Sequence, residues 1–226
     1  VVFTVSEASK RDILHFFPST PPGRIHVVSN AIDADLLDAP DQDELDRVKE
    51  RYQIAQRFIL YAGNIKPHKN LPRLIEAFAR LRATPGHEDV HLMIIGDEIG
   101  KTPELRRRVE SFRLRPFVRF FGFVPERTLA ALYRLATVFV FPSQYEGFGL
   151  PPLEAMACGT PVVTSNVSSL PEVVGNAAVL VDPHDGEAIA VGLSRVLDDP
   201  AFAAELREKG RIQAKKFNWE DSARKT

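Results

Sequence analysis

The chain has 226 residues, of which 44% are hydrophobic and 26% are charged, as is usual for a soluble globular protein. Its 29 Lys and Arg residues balance 30 Asp and Glu residues, and the net charge of -1 gives no overall positive field to attract nucleic acid or anionic lipid. The single cysteine, Cys158, excludes an intramolecular disulfide and fits a reducing compartment. No apolar run approaches the roughly 20 residues that a membrane-spanning helix needs.

The first fifty residues predict a short strand–helix–strand unit followed by a connector. Residues 1–5 are apolar and predict a buried strand, and residues 6–14 predict a helix with Ser6 as its N-cap. A second short strand is expected at 24–28, and the acidic stretch 33–50 predicts a connector with a polar helix. The chain opens on a strand without an initiator Met, so we expect it to be an excised part of a longer protein.

From about residue 57 the chain alternates apolar strand patterns with amphipathic helix patterns. The predicted strands are 58–62, 91–95, 118–121, 138–141, 161–164 and 178–181. The predicted helices are 70–81, 103–112, 126–135, 153–158, 186–197 and 201–217. Asn70 is the expected N-cap of the first of these helices, and Ser169 with Glu172 predicts a capping box for a further short helix. Alternating strands and helices predict an α/β fold, a Rossmann-like doubly wound parallel sheet.

The most informative motif places Glu146 and Glu154 on either side of a glycine turn and a double proline. A strand pattern precedes the motif and a helix pattern follows it, and this arrangement is how α/β domains build anion sites. Proline suits the first turn of a helix, and the turn 148–150 would present free N–H groups at the positive end of the helix dipole. The simpler interpretation is that both glutamates lie at the surface and that one of them interacts favourably with the helix dipole. The full context favours a ligand that carries both phosphates and hydroxyls.

A second motif, the loop 63–70, follows one strand and opens a helix. It carries Lys66, His68 and Lys69, so it is either a solvated basic turn or a clamp for a diphosphate. The turn 122–126 and the residues Asp97 and Glu98 also follow predicted strands, so they are further candidates for the edge of a ligand site. A plain connecting loop would explain each of them equally well.

These residues resemble one protein family over about residues 3–220. The stretch 142–164, which reads Pro-Ser-Gln-Tyr-Glu-Gly-Phe-Gly-Leu-Pro-Pro-Leu-Glu and continues Ala-Met-Ala-Cys-Gly-Thr-Pro-Val-Val-Thr, resembles the Glu-x7-Glu region of the retaining GT-B glycosyltransferases, the group 1 or GT4-like family. The stretch 61–71, Tyr-Ala-Gly-Asn-Ile-Lys-Pro-His-Lys-Asn-Leu, is similar to the phosphate-binding loop of that family. The resemblance implies that the chain is the C-terminal, donor-binding domain of such an enzyme.

The resemblance also implies a role for each matching residue. Glu154 would accept hydrogen bonds from the two ribose hydroxyls, as a carboxylate can, and Glu146 would contact the donor sugar. Glu146 and Lys69 are the expected catalytic residues. The expected donor-binding residues are Gly63, Asn64, Lys66, Val124, Phe148, Gly149, Leu150 and Glu154. Asn64 replaces an arginine of the family pattern, so either Lys69 alone supplies the positive charge or another cation such as Lys66 substitutes.

The implied domain division assigns 1–50 to the first domain and its connector, 51–205 to the nucleotide-sugar domain and 206–226 to a truncated C-terminal helix. The implied reaction is retaining transfer of a hexose, with mannose as first candidate, from GDP- or UDP-hexose to a glycan or lipid-linked acceptor. It needs no metal and no cofactor. It takes place in the cytoplasm, with the full enzyme at the inner face of the membrane as a peripheral protein.

The resemblance implies a first domain that completes the cleft and is missing here, so we expect the chain alone to be inactive.

Other functions are less well supported by the sequence. A GT-B nucleotide-sugar epimerase and a noncatalytic nucleotide-binding module stay open. The run 96–102 is one residue too short for a phosphate-binding Walker loop, no Gly-x-Gly-x-x-Gly is present, and the His and Cys residues show no zinc spacing.

Overall fold

The computed structural model describes residues 1–38, 41–96 and 102–226, so the predictions for Asp97 and Glu98 lie outside the described residues. The strands are β1 (Val2–Thr4), β2 (Ile25–Val27), β3 (Phe58–Ala62), β4 (His91–Ile95), β5 (Val118–Phe121), β6 (Val138–Phe141), β7 (Val162–Ser165) and β8 (Val179–Val181). The helices are α1 (Glu7–Phe16), α2 (Gln42–Arg51), α3 (Leu71–Arg82), α4 (Pro103–Ser111), α5 (Glu126–Leu135), α6 (Leu150–Ala157), α7 (Leu170–Val174), α8 (Gly186–Asp198), α9 (Pro200–Ala214) and α10 (Trp219–Arg224). Short 3-10 turns lie at Pro22–Arg24, Ala34–Leu37 and Pro67–Lys69.

Six strands form one parallel sheet in the order β5-β4-β3-β6-β7-β8. The chain builds outward from β3 through β4 to β5, then returns to the other side of β3 and builds outward again from β6. The order therefore reverses between β3 and β6, and a crevice opens at the carboxyl ends of strands at such a point. The predicted fold, a Rossmann-like doubly wound parallel sheet, is confirmed.

The central strands are apolar along their whole length because helices cover both faces of the sheet. Every residue of β3 and β6 is buried, whereas the edge strands β5 and β8 are partly exposed. One group of helices consists of α3 with α4 and α8, and another of α6 with α5 and α9, while α2 lies against α5. The apolar face predicted for α3 is buried, from Leu71 to Leu81.

Two predicted helix caps are wrong. Asn70 occupies the N-cap position of α3 in the left-handed conformation, but its side chain makes no capping hydrogen bond. Instead its amide donates to the carbonyl oxygens of Pro142 (3.1 Å) and Pro183 (2.6 Å). Ser169 does not cap α7 either. The Glu172 carboxylate accepts hydrogen bonds from the N–H groups of Glu7 and Ala8 and so caps α1. In each case a partner distant in sequence takes the side chain that the local pattern assigned to a cap.

The ends of the chain differ from the sequence prediction in two respects. The strand β1 pairs with β2 in a two-stranded sheet, so its residues stay largely exposed rather than buried. The Ser6 cap of α1 is confirmed by its hydrogen bond from the Ser9 N–H. The division drawn at residue 205 falls inside α9, which is continuous from Pro200 to Ala214 and packs against α6. A separate helix, α10, follows after Asn218, which caps it.

Candidate functional site

The loops that follow β3 and β6 meet at the crevice where the strand order reverses. The carbonyl oxygen of His68 accepts a hydrogen bond from the Gln144 N–H (2.8 Å) and lies 3.1 Å from the Ser143 hydroxyl. The Asn70 amide joins the same two loops through its bond to Pro142. Two motifs about 80 residues apart in the chain, the basic loop 63–70 and the glutamate-containing loop 142–149, therefore form one structure.

An ion pair lies at the centre of this junction. The Lys69 Nζ is 2.5 Å from Glu146 Oε1, and each side chain is only 13% exposed. The Lys69 ammonium also lies 5.0 Å from the centre of the Phe141 ring, a cation–π distance. Burial, together with the nearby Glu146 charge, raises the pKa of the Tyr61 hydroxyl. The two residues predicted to be catalytic are thus in direct contact.

Serine hydroxyls hold the backbone of the loop that carries Glu146. The Glu146 N–H donates to Ser168 Oγ (3.1 Å), and the Ser169 hydroxyl lies 2.9 Å from the Glu146 carbonyl and 2.6 Å from that of Phe148. On the other side, the Ser6 hydroxyl donates to the Gly147 carbonyl (2.6 Å). Because these groups fix the backbone, the position of the Glu146 carboxylate depends on residues that directly precede α1 and α7.

Beside the ion pair, a cleft of about 210 Å³ runs along the ends of β3, β4 and β5. Four of the predicted donor-binding residues, Gly63, Asn64, Val124 and Glu154, line it. The remainder of the lining is mostly apolar and includes Phe123, a residue that is 79% exposed. A largely apolar cleft with one carboxylate is suited to a flat ring joined to a hydroxyl-bearing group.

Glu154 is held in the cleft by a residue that the sequence analysis missed. The hydroxyl of Tyr133, on α5, donates to Glu154 Oε2 at 3.0 Å, and the tyrosine itself is buried. Burial raises the pKa of the Glu154 carboxyl, and the Tyr133 hydrogen bond opposes that shift. Burial and the Glu154 charge raise the pKa of Tyr133, so its hydroxyl stays a donor. In the sequence Tyr133 is one more apolar-face residue of α5, and no local signal distinguishes it.

The helix α6 begins at Leu150, which is the last residue of the predicted turn 148–150 and lies three residues before the predicted start of the helix at Leu153. Gly149 has φ 119°, and a Cβ there would lie 2.8 Å from Leu170 Cδ2, so this position requires glycine. Among the described residues, no acceptor is found for the backbone N–H groups of Phe148, Gly149 and Leu150. Such N–H groups at a helix N-terminus can bind an anion.

Lys66 is placed differently from the other predicted residues. Its side chain is exposed at the start of the turn Pro67–Lys69, and Lys66 is not among the residues that line the cleft. The structure therefore brings together Gly63, Asn64, Val124 and Glu154 in the cleft and Lys69 with Glu146 beside it. It leaves Lys66 at the surface.

Within the described residues, no three His, Cys, Asp or Glu side chains are arranged to hold a metal ion. In the same part of the chain no helix has the length and apolarity to cross a membrane. The reaction's independence of metal and the peripheral membrane association stay predictions.

Known proteins agree with the fold and the motifs. Residues 42–216 match the family model described as glycosyl transferases group 1. O-antigen chain mannosyltransferase B of Escherichia coli is 37% identical over 227 residues, which cover 100% of this chain and 59% of that protein. Serotype-specific mannosyltransferase WbdA, also of Escherichia coli, is 34% identical over 229 residues, covering 98% of this chain and 27% of its own length. The chain thus spans little more than half of one curated relative and about a quarter of the other.

Among solved structures, Anabaena HepE in complex with UDP-glucose superimposes with a TM-score of 0.88 at 21% identity. The match covers 100% of this chain and 62% of HepE, and at that identity it is a likeness of fold. The family model covers most of the chain and includes both the loop 63–70 and the two glutamates. The chain therefore belongs to the glycosyl transferases group 1 family and has the fold of a GT-B glycosyltransferase domain.

Proposed function

We propose that this chain is the donor-binding part of a retaining glycosyltransferase that transfers mannose from a nucleoside diphosphate sugar to a glycan or lipid-linked acceptor. The observation that carries the proposal is the contact between Lys69 and Glu146 at the switch point, beside a cleft that holds Glu154. The sugar is suggested by the Escherichia coli relatives, both of which are named mannosyltransferases. These names favour transfer over the epimerase and noncatalytic alternatives.

Each part of the donor has a matching part of the site. The base enters the apolar cleft beside Val124, and the ribose hydroxyls donate to Glu154, which Tyr133 holds in place. The distal phosphate accepts from the N–H groups that begin α6, at the positive end of its dipole. The sugar then lies next to Glu146.

Lys69 supplies the charge stabilisation. When the glycosyl–oxygen bond breaks, negative charge accumulates on the departing diphosphate, and a cation already positioned there lowers the barrier. Lys69 is held by Glu146 before the donor arrives, so its ammonium needs little reorganisation to reach the phosphate. Because Asn64 carries no charge, Lys69 is the main cation of this site.

The acceptor has to approach from a second wall of the cleft. Transfer requires the acceptor oxygen and the anomeric carbon to be aligned at near-attack distance, and one domain leaves the sugar facing water. We therefore expect transfer by the full-length protein and none by this chain alone.

Thermal unfolding of the chain with GDP, UDP, ADP and their sugars tests donor binding, because a ligand of the native state raises the unfolding temperature. We expect one nucleotide series to stabilise wild type and to have little effect on Glu154→Ala, whereas the surface variant Lys209→Gln should respond like wild type. The absence of a shift with every nucleotide would overturn donor binding. Mannose transfer and retention are tested separately by NMR of the anomeric proton in the product of the full-length protein.

A further inference from the structure

A second cavity, of about 490 Å³, lies on another part of the domain, between α9 and the C-terminal end of α6. Four cationic side chains line it: Arg134 from α5, Arg207 and Arg211 from α9, and Lys215, which directly follows α9. Among the residues that the structure describes, Asp38 is the one carboxylate residue of its lining. None of these residues lines the donor cleft, so the two cavities are separate.

The spacing of the α9 cations places them on one face of the helix. Arg207, Arg211 and Lys215 are four residues apart, which corresponds to about 6 Å between neighbours along the axis. Like charges at this spacing destabilise a helix by a few tenths of a kcal/mol per pair. Arg134 and Arg211 line the cavity together with Cys158. Burial raises the pKa of the Cys158 thiol to about 11, and the charges of the two arginines oppose that shift.

These charges are not neutralised by the part of the chain that the structure describes. Arg134 donates to the backbone carbonyls of Leu36 and Asp38 and is thereby fixed. For Arg207, Arg211 and Lys215, the described residues provide no carboxylate within 4.0 Å; Arg207 is half-buried, and Arg211 and Lys215 are exposed. By contrast Lys209, on another side of α9, is paired with Glu205.

We propose that this cavity is a second anion site, which binds a soluble compound with two or more phosphoryl groups. The three cations extend over about 12 Å of helix. They can therefore contact neighbouring phosphoryl groups at the same time, and guanidinium groups bind phosphate oxygens in pairs. A small soluble anion can enter a recessed cavity, whereas the flat surface of a membrane cannot, so we favour the soluble anion as the ligand. Glu154 lies one turn of α6 before Cys158, which lines this cavity, so the site adjoins the donor site without sharing its residues.

Calorimetric titration of the chain with inorganic pyrophosphate tests the proposal by stoichiometry. We expect wild type to bind two pyrophosphates, one at Lys69 and one at α9. Lys69→Met should leave the α9 site, and Arg207→Gln with Arg211→Gln should weaken the α9 site at least about tenfold, since hydrogen bonds to charged groups are among the stronger ones. The charge-matched control, Lys209→Gln with Lys216→Gln, should still bind two.

One pyrophosphate per wild-type chain, lost in Lys69→Met and unchanged in the arginine variant, would overturn the proposal. Should the arginine variant fail to fold, backbone amide NMR of wild type decides, because pyrophosphate must then shift the signals of residues 207–215. Sedimentation with phosphatidylglycerol vesicles distinguishes the source of the phosphate. Vesicle binding that depends on Arg207 and Arg211, without pyrophosphate binding at α9, would contradict a soluble ligand.

Discussion

Replacing Lys69 with Met removes the cation from the ion pair at the switch point and keeps an apolar side chain against Phe141. The Lys69 and Glu146 side chains are each 13% exposed, so the change leaves a largely buried carboxylate without its partner. Breaking a buried pair costs about 3–5 kcal/mol, and because water can enter the open cleft we expect the lower part of that range, about 3 kcal/mol. Urea unfolding measures this loss as a lower midpoint at unchanged slope.

The double variant shows whether the pair itself is responsible. Adding Glu146→Gln to Lys69→Met removes the stranded charge, so we expect it to recover about 2 kcal/mol and to be more stable than the single lysine variant. Strictly additive losses in the four-protein cycle would refute the argument. The same proteins distinguish the roles of Lys69 and Glu146 in binding. Lys69→Met should weaken the binding of a nucleoside diphosphate, whereas Glu146→Gln should reduce only the extra affinity that the attached sugar provides.

Three further predictions concern the supports of the site. Burial raises the pKa of Glu154, so wild type loses stability as pH rises from the ordinary Glu pKa to the raised value. Across that pH range the stability of Glu154→Gln should therefore increase relative to that of wild type. A stability difference in urea unfolding that does not change with pH would contradict this. Asn70→Ala should lower the free energy of unfolding by about 2–4 kcal/mol in thermal unfolding, because two carbonyls lose their donor and alanine is strained at φ 62°. Asn70→Gly avoids the strain, so its loss should be about 1 kcal/mol smaller. Gly149→Ala should cost about 1–3 kcal/mol, because the new Cβ clashes with Leu170 and alanine is strained at φ 119°. The control Gly147→Ala, whose Cβ has no neighbour within 3.5 Å, should change stability little. Equal effects of the two changes would contradict this explanation.

The sheet could be predicted from the sequence because its signals are local. Strands buried on both faces are apolar throughout, and the predicted bounds of β3, β4, β5 and β6 agree with the structure. The double proline indicated a helix start near Gly149, but the predicted helix 153–158 begins three residues later than α6, because both prolines lie within its first turn. The family resemblance implied that Lys69 and Glu146 are both catalytic, but their direct contact was not predicted, since their spacing in the chain carries no geometric information.

The supports of the site could not be predicted, because their partners are distant in sequence. Asn70 and Ser169 have the local pattern of helix caps, yet the folded chain offers them loop carbonyls instead. Glu172 caps α1 from more than 160 residues away. Tyr133 reaches Glu154 only because α5 and α6 are neighbours in space. The resemblance also suggested Lys66 as a substitute cation, and the structure leaves that side chain outside the cleft.

The most direct test of the account is backbone amide NMR of the chain during titration with the nucleoside diphosphate that stabilises it most. We expect the largest shifts at residues 63–70, at Val124 and at the start of α6, and we expect Glu154→Ala to weaken the binding. Saturable shifts confined to other surfaces, with the signals of 63–70 and 148–150 unchanged, would contradict the claim that the crevice between β3 and β6 is the donor site.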